Sequence, residues 1–346
     1  SVVGSWTVAH SSGRVGLGQI LLWCVVLRVI AVSGDPLYED DYFRYLWDGR
    51  QTVEHGTPYA SAPADAFDSE DDLLWSSVLD QINNPALPTI YGPVNQYAFA
   101  LAYWIRPGDV TVLQAMFAVV DLLVILLLSR LSARSPPLVL YGFSPLVLKE
   151  FSLTAHPDVL SAFGLVLALL CWRRERLYAA AVALAVAVSA KVFALLLVPL
   201  LLRWQWRAWG LFGVTTVVLH LPLAHLSGMG DALSAMAGGW LFNAPLYTLL
   251  LPYVGFQWLK VTLVACLGVL CATYFFRAHD ADQTPPRVPR GDVLFFAMLL
   301  ASPAFNPWYY VFPLIFAVVY PTAWAWVGSL SILFAYATGL QLGTER

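Results

Sequence analysis

Several apolar stretches of this chain are too long and too poor in charge to belong to a water-soluble fold. Residues 159–171 read VLSAFGLVLALLC without one charged side chain. Because the hydrocarbon core of a bilayer cannot hydrogen-bond to the backbone, such runs must form helices or a closed barrel. They lack the polar–apolar alternation of barrel strands, so helices are predicted. The first run is interpreted as a membrane span rather than as a cleavable signal peptide.

The composition supports a protein that crosses the membrane many times. Hydrophobic residues make up 59% of the 346 residues and charged residues only 12%, which is about half the charged share of an ordinary soluble domain. A typical soluble enzyme, a coiled coil and a disordered chain are therefore excluded. The net charge of −3 suggests no nucleic-acid partner. The four Cys residues lie in apolar runs without metal-ligand spacing, which favours small buried side chains over ligands.

The apolar runs predict an all-α, polytopic membrane protein with about eleven transmembrane helices, forming a single domain over residues 1–346. The predicted spans are residues 16–33, 111–129, 136–153, 157–172, 177–190, 192–202, 208–226, 257–276, 292–303, 307–320 and 322–341. A further helix at 93–105 is too short to cross the bilayer, which takes about 20 residues, and is expected to lie along the membrane surface.

Arginine residues between the spans set the predicted orientation. With these spans they all fall on one side of the membrane, which the positive-inside rule makes cytoplasmic. They are Arg14, Arg130, Arg134, Arg173, Arg174, Arg176, Arg203, Arg207, Arg277, Arg287 and Arg290. The opposite side receives the acidic segment 34–110, an extracytoplasmic loop with juxtamembrane helices. The chain is thus expected in the inner or plasma membrane, with its active site outside the cytoplasm.

Three consecutive acidic residues lie shortly after the first predicted span. Glu39, Asp40 and Asp41 are consecutive, and Arg44 follows three residues later. Adjacent carboxylates disfavour each other's ionisation, so one of them is suited to proton transfer. The alternative is a solvated helix N-terminus, where acidic residues interact favourably with the helix dipole. Either acid of the pair could bind Arg44.

A second polar group lies around a short turn between two apolar spans. Glu150, His156 and Asp158 could bind a metal or a sugar, or could cap helix ends. Lys191 is the single charged residue of the segment SAKVF, residues 189–193. A buried lysine needs an anion from the protein or from a ligand, and a lipid phosphate suits that role. Snorkelling to the membrane interface is the alternative for Lys191.

A third segment, residues 302–310, contains two prolines that interrupt the helix pattern. Asn306, Trp308 and Tyr309 could stack on a sugar or line a lipid groove, or form an ordinary interfacial aromatic belt. The sequence contains no glycine-rich phosphate loop, zinc-protease signature or serine elbow, which argues against an enzyme that uses a soluble nucleotide.

Together these features resemble the GT-C superfamily of integral-membrane glycosyltransferases, and more narrowly the bacterial polyprenyl-phosphate-mannose-dependent mannosyltransferases. The most specific feature is the Asp40–Asp41 pair followed by YFRYLWDGR. Another is the IYGPVNQY run with Tyr91, which is similar to a Tyr-Pro-Pro element but has Gly92 in place of the first Pro. The Glu150…His156-Pro-Asp158 segment before Lys191, and Asn306-Pro-Trp-Tyr309, complete the resemblance over about residues 15–320.

The resemblance implies a lipid-phosphate leaving group and an attacking acceptor hydroxyl, with inversion at the anomeric carbon. It implies Asp40 as the base and Asp41 as its partner. Lys191 and Arg44 would meet the phosphate. Weaker candidates are Arg28, Arg50, Arg106, Lys149 and Lys260. The sugar would lie near the Glu150, His156 and Asp158 side chains, and Trp308 and Tyr309 would line the donor groove.

No cofactor is expected to be obligatory, because Arg and Lys can meet a lipid monophosphate. A divalent metal stays possible but is not favoured; Asp40, Asp41, His156 and Asp158 could hold one. The implied partners are a lipid-linked sugar donor, membrane lipids and an acceptor that is a glycan, a glycolipid or a protein. Mannose rests on the resemblance alone. The competing hypothesis is a transporter or flippase of lipid-linked sugars, although that class would place acidic residues near the midplane in repeated elements.

Overall fold

The computed structural model describes residues 16–132, 135–225, 228, 230, 241–277 and 287–338. Within these residues the chain is helical, and the only β-type pairing is an isolated bridge between Phe242 and Ala304. The predicted all-α class is therefore confirmed. Arg14 and Arg134, which the orientation argument used, lie outside the described residues.

The helices of the first half follow the predicted order of spans and surface segments. They are α1 (Leu17–Val32), α2 (Asp41–His55), α3 (Leu73–Leu79), α4 (Pro93–Ile105), α5 (Val110–Leu131), α6 (Ser135–Gly142), α7 (Asp158–Arg173) and α8 (Leu177–Ala190). Short segments complete this half: a 3-10 helix at Pro63–Ala66, one helical turn at Pro145–Val147 and a π-helix at Leu148–Leu153.

The second half consists of shorter and more interrupted helices. They are α9 (Val198–Leu202), α10 (Trp206–His220), α11 (Pro245–Leu250), α12 (Phe256–Arg277), α13 (Gly291–Ala301), α14 (Val311–Val319) and α15 (Ala323–Ser331). Segments of 3-10 helix lie at Val192–Leu197, Leu221–Leu223, Pro307–Tyr310 and Ile332–Thr338.

Few of these helices are long enough to cross a bilayer unaided. In the described residues α5 and α12 meet the requirement of length and apolar composition, and a third candidate is the pair Ser135–Leu153 and Asp158–Arg173, bent by 119° at its break. The prediction of about eleven transmembrane helices is not confirmed. The other apolar helices have 10–17 residues, fewer than the about 20 residues that a helix needs to cross the bilayer.

The outer face of α12 indicates a membrane environment. Trp258, Val261, Val264 and Val269 are more than half exposed along this 22-residue helix. A contiguous apolar face of this length is unfavourable in water and favourable in hydrocarbon. The apolar helices therefore indicate a membrane protein.

Close packing of α7 on α8 positions the polar residues at one end of both helices. A side chain at Gly164 would lie about 3 Å from the backbone of Ala183 and Ala187, so glycine permits the near contact of the two helices. The Ser161 hydroxyl donates to the Ala187 carbonyl across the same interface at 2.9 Å. This contact fixes Asp158, at the start of α7, beside Lys191, at the end of α8.

The helix predicted at residues 93–105 is present as α4, and it packs against the end of α8. A side chain at Gly92 would lie 2.1 Å from the Ser189 carbonyl oxygen. The Asn95 amide donates to the Ala190 carbonyl at 2.9 Å. Gly92, which departs from the Tyr-Pro-Pro pattern, is thus required by the close approach of two backbones next to Lys191.

Helix α7 has basic residues at its C-terminal end and an acidic residue at its N-terminal end. Arg173 and Arg290 line a cavity of about 560 Å³ at the C-terminal end, together with residues that follow α5 and α14. Asp158 lies at the N-terminal end of the same helix. The arrangement agrees with basic residues gathering at one end of the bundle and with the candidate site at the other.

A buried ion pair ties α1 to α5. The guanidinium of Arg28 contacts the Asp121 carboxylate at 2.6 Å, and both side chains are almost fully buried. Arg28 also donates to the Gly142 carbonyl at 2.7 Å, and the Tyr141 hydroxyl donates to Asp121 at 3.3 Å. The guanidinium of Arg28 is therefore bound by groups of the fold, which does not support its predicted role in binding phosphate.

Arg28→Leu is expected to lower the free energy of unfolding by about 3–5 kcal/mol, because Asp121 would remain as an uncompensated buried charge. The measurement is thermal and denaturant unfolding of the purified protein in detergent. Arg28→Leu combined with Asp121→Leu should recover most of the loss. As a control, Arg106→Leu breaks the exposed Arg106–Asp109 pair and should cost about 1 kcal/mol or less. A single Arg28→Leu variant as stable as the wild type would contradict a stabilising role for the pair.

Candidate active site

Five segments of the chain meet at the N-terminal end of α7. They are the start of α2, the turn that precedes α7, the residue that ends α8, the 3-10 helix Pro307–Tyr310 and the 3-10 helix Ile332–Thr338. Most of the predicted site residues lie on these segments, although they are far apart in the sequence.

The acidic pair opens helix α2. Asp40 is the N-cap residue and Asp41 is the first residue of the helix, where the helix dipole favours negative charge. The Asn83 side-chain amide donates a hydrogen bond to the Asp40 carboxylate. The Tyr91 hydroxyl donates to the Asp41 carboxylate at 3.1 Å. Both acids are half-buried, so their carboxylates are oriented by the protein without being sealed off.

Burial and neighbouring charge make this acidic segment unusual. Burial, together with the Asp40 carboxylate, raises the pKa of Asp41 to about 6, against the lowering effects of the Tyr91 hydrogen bond and of Lys191. Glu39 lies one residue before the pair and is buried, and that burial together with the Asp41 charge raises its pKa well above the usual range. The sequence interpretation treated Glu39 only as part of an acidic run, since nothing local predicts its burial.

His156 is enclosed by aromatic and acidic side chains. Its Nδ1 atom lies 3.1 Å from the Tyr45 hydroxyl, and its ring stacks on Trp308 with 3.9 Å between the centroids. Its Nε2 atom lies 3.8 Å from carboxylate oxygens of both Glu39 and Glu150. Burial, with smaller effects from nearby lysines, lowers the pKa of His156 well below its usual value, so the imidazole is neutral at physiological pH.

The anion that pairs with Lys191 is the carboxylate of Asp158. Its ammonium lies 3.2 Å from the Asp158 carboxylate and 4.4 Å above the centroid of the Tyr309 ring. The Asp158 side chain is 2% exposed and that of Lys191 is 17% exposed. Lys191 therefore keeps a limited solvent-exposed surface that a ligand can reach, whereas Asp158 is buried and contacts Lys191 from the protein interior.

Glu150 is held by a residue that the sequence interpretation missed. The Tyr336 hydroxyl donates to the Glu150 carboxylate at 2.8 Å. Lys149 contacts the same carboxylate at 3.2 Å and lies 3.6 Å above the centroid of the Tyr336 ring. Tyr336 is 186 residues away from Glu150, and no local pattern distinguishes it from other aromatic residues of a membrane helix. Tyr336 is thus the contribution of the last described helical segment to the site.

Arg44 and Asn306 make contacts that differ from their predicted roles. The Arg44 guanidinium donates to the Asp48 carboxylate at 3.0 Å and to the Leu87 carbonyl at 2.8 Å. It thus supports the fold of segment 34–110 through groups outside the acidic pair. Asn306 caps the 3-10 helix through its backbone, whose carbonyl accepts from the Tyr309 amide at 3.1 Å.

One set of side chains has the composition of a metal site. Glu39, Asp41 and His156 each place one potential ligand atom so that the three atoms lie within 4.8 Å of one another. This set differs from the predicted one, since Glu39 is included in place of Asp40 and Asp158. The site as a whole combines half-buried carboxylates, a paired lysine and aromatic rings, which suits an anionic, sugar-bearing ligand.

Comparison with known families gave one match. The model of the family described as "Alpha-(1->6)-mannopyranosyltransferase, N-terminal domain" matches residues 2–208. The matched range contains the acidic pair, His156, Asp158 and Lys191, whereas the aromatic residues from the last third of the chain lie beyond it. Searches of curated proteins and of solved structures found no match.

Proposed function

The chain belongs to the alpha-(1->6)-mannopyranosyltransferase family, and from this premise we propose that it moves a mannosyl group from a polyprenyl-phosphate donor to an acceptor hydroxyl. The acceptor is a glycan, a glycolipid or a protein side chain. The observation that carries the proposal is the convergence of the Asp40–Asp41 pair with the Lys191–Asp158 pair at one end of α7 and α8. Lys191 is close enough to Asp41 to lower the pKa of that carboxylate, and a carboxylate and a cation in one site are what transfer from a lipid phosphate requires.

Lys191 is the proposed partner of the donor phosphate. In the transfer, the bond between the anomeric carbon and the phosphate oxygen breaks, and the lipid phosphate leaves with the bonding electrons. A positive charge close to that oxygen stabilises the departing group. The ammonium of Lys191 is oriented by Asp158 and by the Tyr309 ring, so the charge is in place before the reaction begins.

Asp40 is the proposed general base. The acceptor oxygen forms a bond to the anomeric carbon while its proton passes to a carboxylate. The Asn83 amide orients the Asp40 carboxylate, and the side chain is half-buried and therefore accessible to an acceptor. Asp41, held by Tyr91, is the proposed partner that orients the base or the acceptor. One displacement on the face opposite the phosphate implies inversion at the anomeric carbon.

The buried members of the site are proposed to hold its shape. Glu150 and His156 are 0% and 1% exposed, so in this conformation they support the wall behind the sugar rather than contact it from solvent. Trp308 stacks on His156, and Tyr309 faces Lys191. The donor groove is proposed to run along these two aromatic residues, as a GT-C architecture implies.

The experiment that tests the proposed function is a transfer assay with the purified chain in proteoliposomes. Radiolabelled polyprenyl-phosphate-mannose and a nucleotide-activated mannose are offered separately, with glycolipid acceptors extracted from membranes. We expect label to reach the acceptor from the lipid donor alone. Transfer from the nucleotide sugar, or passage of the labelled lipid across the bilayer without any transfer, would contradict the proposal.

The active site is further proposed to lie on the extracytoplasmic side. In a background without the native cysteines, Cys introduced at Ser61 and at Arg174, both exposed, should react with an impermeant thiol reagent from opposite sides of the membrane. Ser61 lies in the acidic segment and Arg174 in a basic cluster. Labelling of intact cells should modify the variant at Ser61 only. Modification of both variants from outside would contradict the predicted topology.

A further inference from the structure

We propose that Glu39, Asp41 and His156 form a binding site for a divalent cation. The three residues come from two segments: Glu39 and Asp41 flank the N-cap of α2, and His156 lies in the turn before α7. One potential ligand atom from each side chain lies within 4.8 Å of the other two. A cation of ordinary size placed among these atoms can contact all three, since metal–oxygen and metal–nitrogen distances are about 2.0–2.6 Å.

An unpartnered oxygen points to a missing ligand at this place. The Oε1 atom of Glu39 is buried and accepts no hydrogen bond, and the Glu39 residue is only 5% exposed. Leaving a buried carboxylate oxygen unsatisfied is costly, and more so than for a neutral group. The other oxygen of the same carboxylate, Oε2, lies 3.8 Å from His156 Nε2, so a cation bound by this cluster would remove that cost.

The surroundings of His156 are those of a metal ligand. The Nδ1 atom is engaged by the Tyr45 hydroxyl at 3.1 Å, which leaves Nε2 on the side of the Glu39 carboxylate. Histidines that bind metals have their second ring nitrogen hydrogen-bonded in this manner, which fixes the ring orientation. Stacking on Trp308 fixes the ring plane as well.

The charge distribution favours a cation rather than a further lysine partner. Lys149 contacts Glu150 at 3.2 Å, and Lys191 contacts Asp158 at 3.2 Å. Both of these lysines are therefore paired with other carboxylates. A divalent ion bound between Glu39 and Asp41 would favour the deprotonated form of both side chains, because its positive charge offsets theirs.

The donor set mixes carboxylate oxygens with an imidazole nitrogen. Carboxylate oxygens suit Mg²⁺, Ca²⁺ and Mn²⁺, whereas an imidazole nitrogen suits transition metals, so Mn²⁺ is compatible with both kinds of ligand and serves as the probe. Three protein ligands would leave positions open for water or for a phosphate oxygen. Asp41 is the half-buried member of the set, so we expect such a ligand to approach from the side of Asp41. The contact with the donor phosphate rests on the proposed function, whereas cation binding itself does not.

The test measures Mn²⁺ binding to the full-length protein in detergent, after EDTA treatment and with no donor or acceptor present. Loss of the free-ion signal in electron paramagnetic resonance gives the stoichiometry and affinity. We expect one tight site in the wild type. Glu39→Gln and Asp41→Asn should each weaken it by about tenfold or more, since even outer-shell changes cost about 10–100-fold.

Glu54→Gln is the matched control. Glu54 is an acidic residue of the same helix region, but its carboxylate is bound by Arg50 and Tyr103 away from the site. It should leave Mn²⁺ affinity unchanged, and melting temperatures identify any variant that fails to fold. Absence of a stoichiometric site in the wild type would overturn the proposal, as would unchanged affinity in folded Asp41→Asn. A protein that binds Mn²⁺ but transfers no sugar would refute the proposed function and leave the cation site standing.

Discussion

Replacing Asp40 with Asn is expected to lower mannosyl transfer by about 10²–10⁴-fold, the usual effect of losing a general base. The amide has nearly the same shape as the carboxylate but does not accept a proton at neutral pH. Asp40 lies at the N-cap of α2 without a side-chain capping hydrogen bond, so the substitution removes no backbone contact of the helix. The measurement is initial rates in the proteoliposome assay, with the melting temperature recorded for each variant.

Two companion variants make the Asp40 result specific. Asp35→Asn changes an exposed acidic residue of the same segment and should transfer mannose at the wild-type rate. Asp41→Asn should also reduce transfer, through the loss of the carboxylate that Tyr91 orients. Asp40→Asn activity within about threefold of the wild type would remove Asp40 as the base, since that loss is far below the expected range. If Asp41→Asn alone abolished transfer, the base would be reassigned to Asp41.

Replacing Lys191 with Met is expected to lower kcat/KM for the lipid donor by about 10²–10³-fold, the size of effect seen when one transition-state partner is removed. Methionine keeps much of the apolar stem but eliminates the charge that meets the leaving phosphate. Lys191→Arg keeps the charge and should retain part of the activity. The measurement is steady-state kinetics with varied donor at a fixed acceptor concentration.

The effect of each Lys191 variant on the free energy of unfolding must be measured apart from its effect on transfer. Lys191→Met leaves the buried Asp158 carboxylate without its cation, which costs about 3–5 kcal/mol for a broken buried pair. Lys191→Met combined with Asp158→Asn removes both charges and should fold, yet it should still be defective in transfer. Arg130→Met, in the exposed last turn of α5, is the control for loss of a positive charge and should leave kinetics unchanged. Unaltered donor kinetics in folded Lys191→Met would return Lys191 to a purely structural role.

The helices of this chain are largely predictable from the spacing of its apolar residues. Residues 111–129 were predicted as a span and form part of α5, Val110–Leu131. The surface helix was predicted at 93–105 from the proline before it and the Arg-Pro-Gly sequence after it, and α4 has these bounds. Where a proline and a helix-ending sequence bracket an apolar run, local chemistry decides the structure.

The number of membrane crossings was not predictable in the same way. The sequence indicates a break at Lys191 between the runs 177–190 and 192–202, but hydropathy does not show whether the short helices on either side of a break cross the bilayer separately. Lys191 adopts an extended conformation between α8 and a 3-10 segment, and residues 148–153 form a π-helix. These interruptions depend on tertiary contacts, such as that of Asn95 with the Ala190 carbonyl.

The candidate site was predicted in part. The acidic pair, His156, Asp158 and Lys191 were singled out because charged groups in apolar surroundings are costly, and the structure brings them together with Trp308 and Tyr309. Tyr336 and Tyr45 were missed, since buried aromatic residues look the same in sequence whether or not their hydroxyls bind a functional group. Arg44 was over-interpreted, because its closeness to Asp40 in the sequence concealed its partner Asp48 one helical turn later.

The most direct measurement is an experimental structure of the protein with a non-hydrolysable polyprenyl-phosphate-mannose analogue bound. We expect the phosphate within hydrogen-bonding distance of the Lys191 ammonium, the lipid along Trp308 and Tyr309, and the anomeric carbon facing the Asp40 and Asp41 carboxylates. An analogue seated elsewhere, with its sugar separated from both aspartates by the wall of the bundle, would contradict a shared catalytic site at the end of α7 and α8.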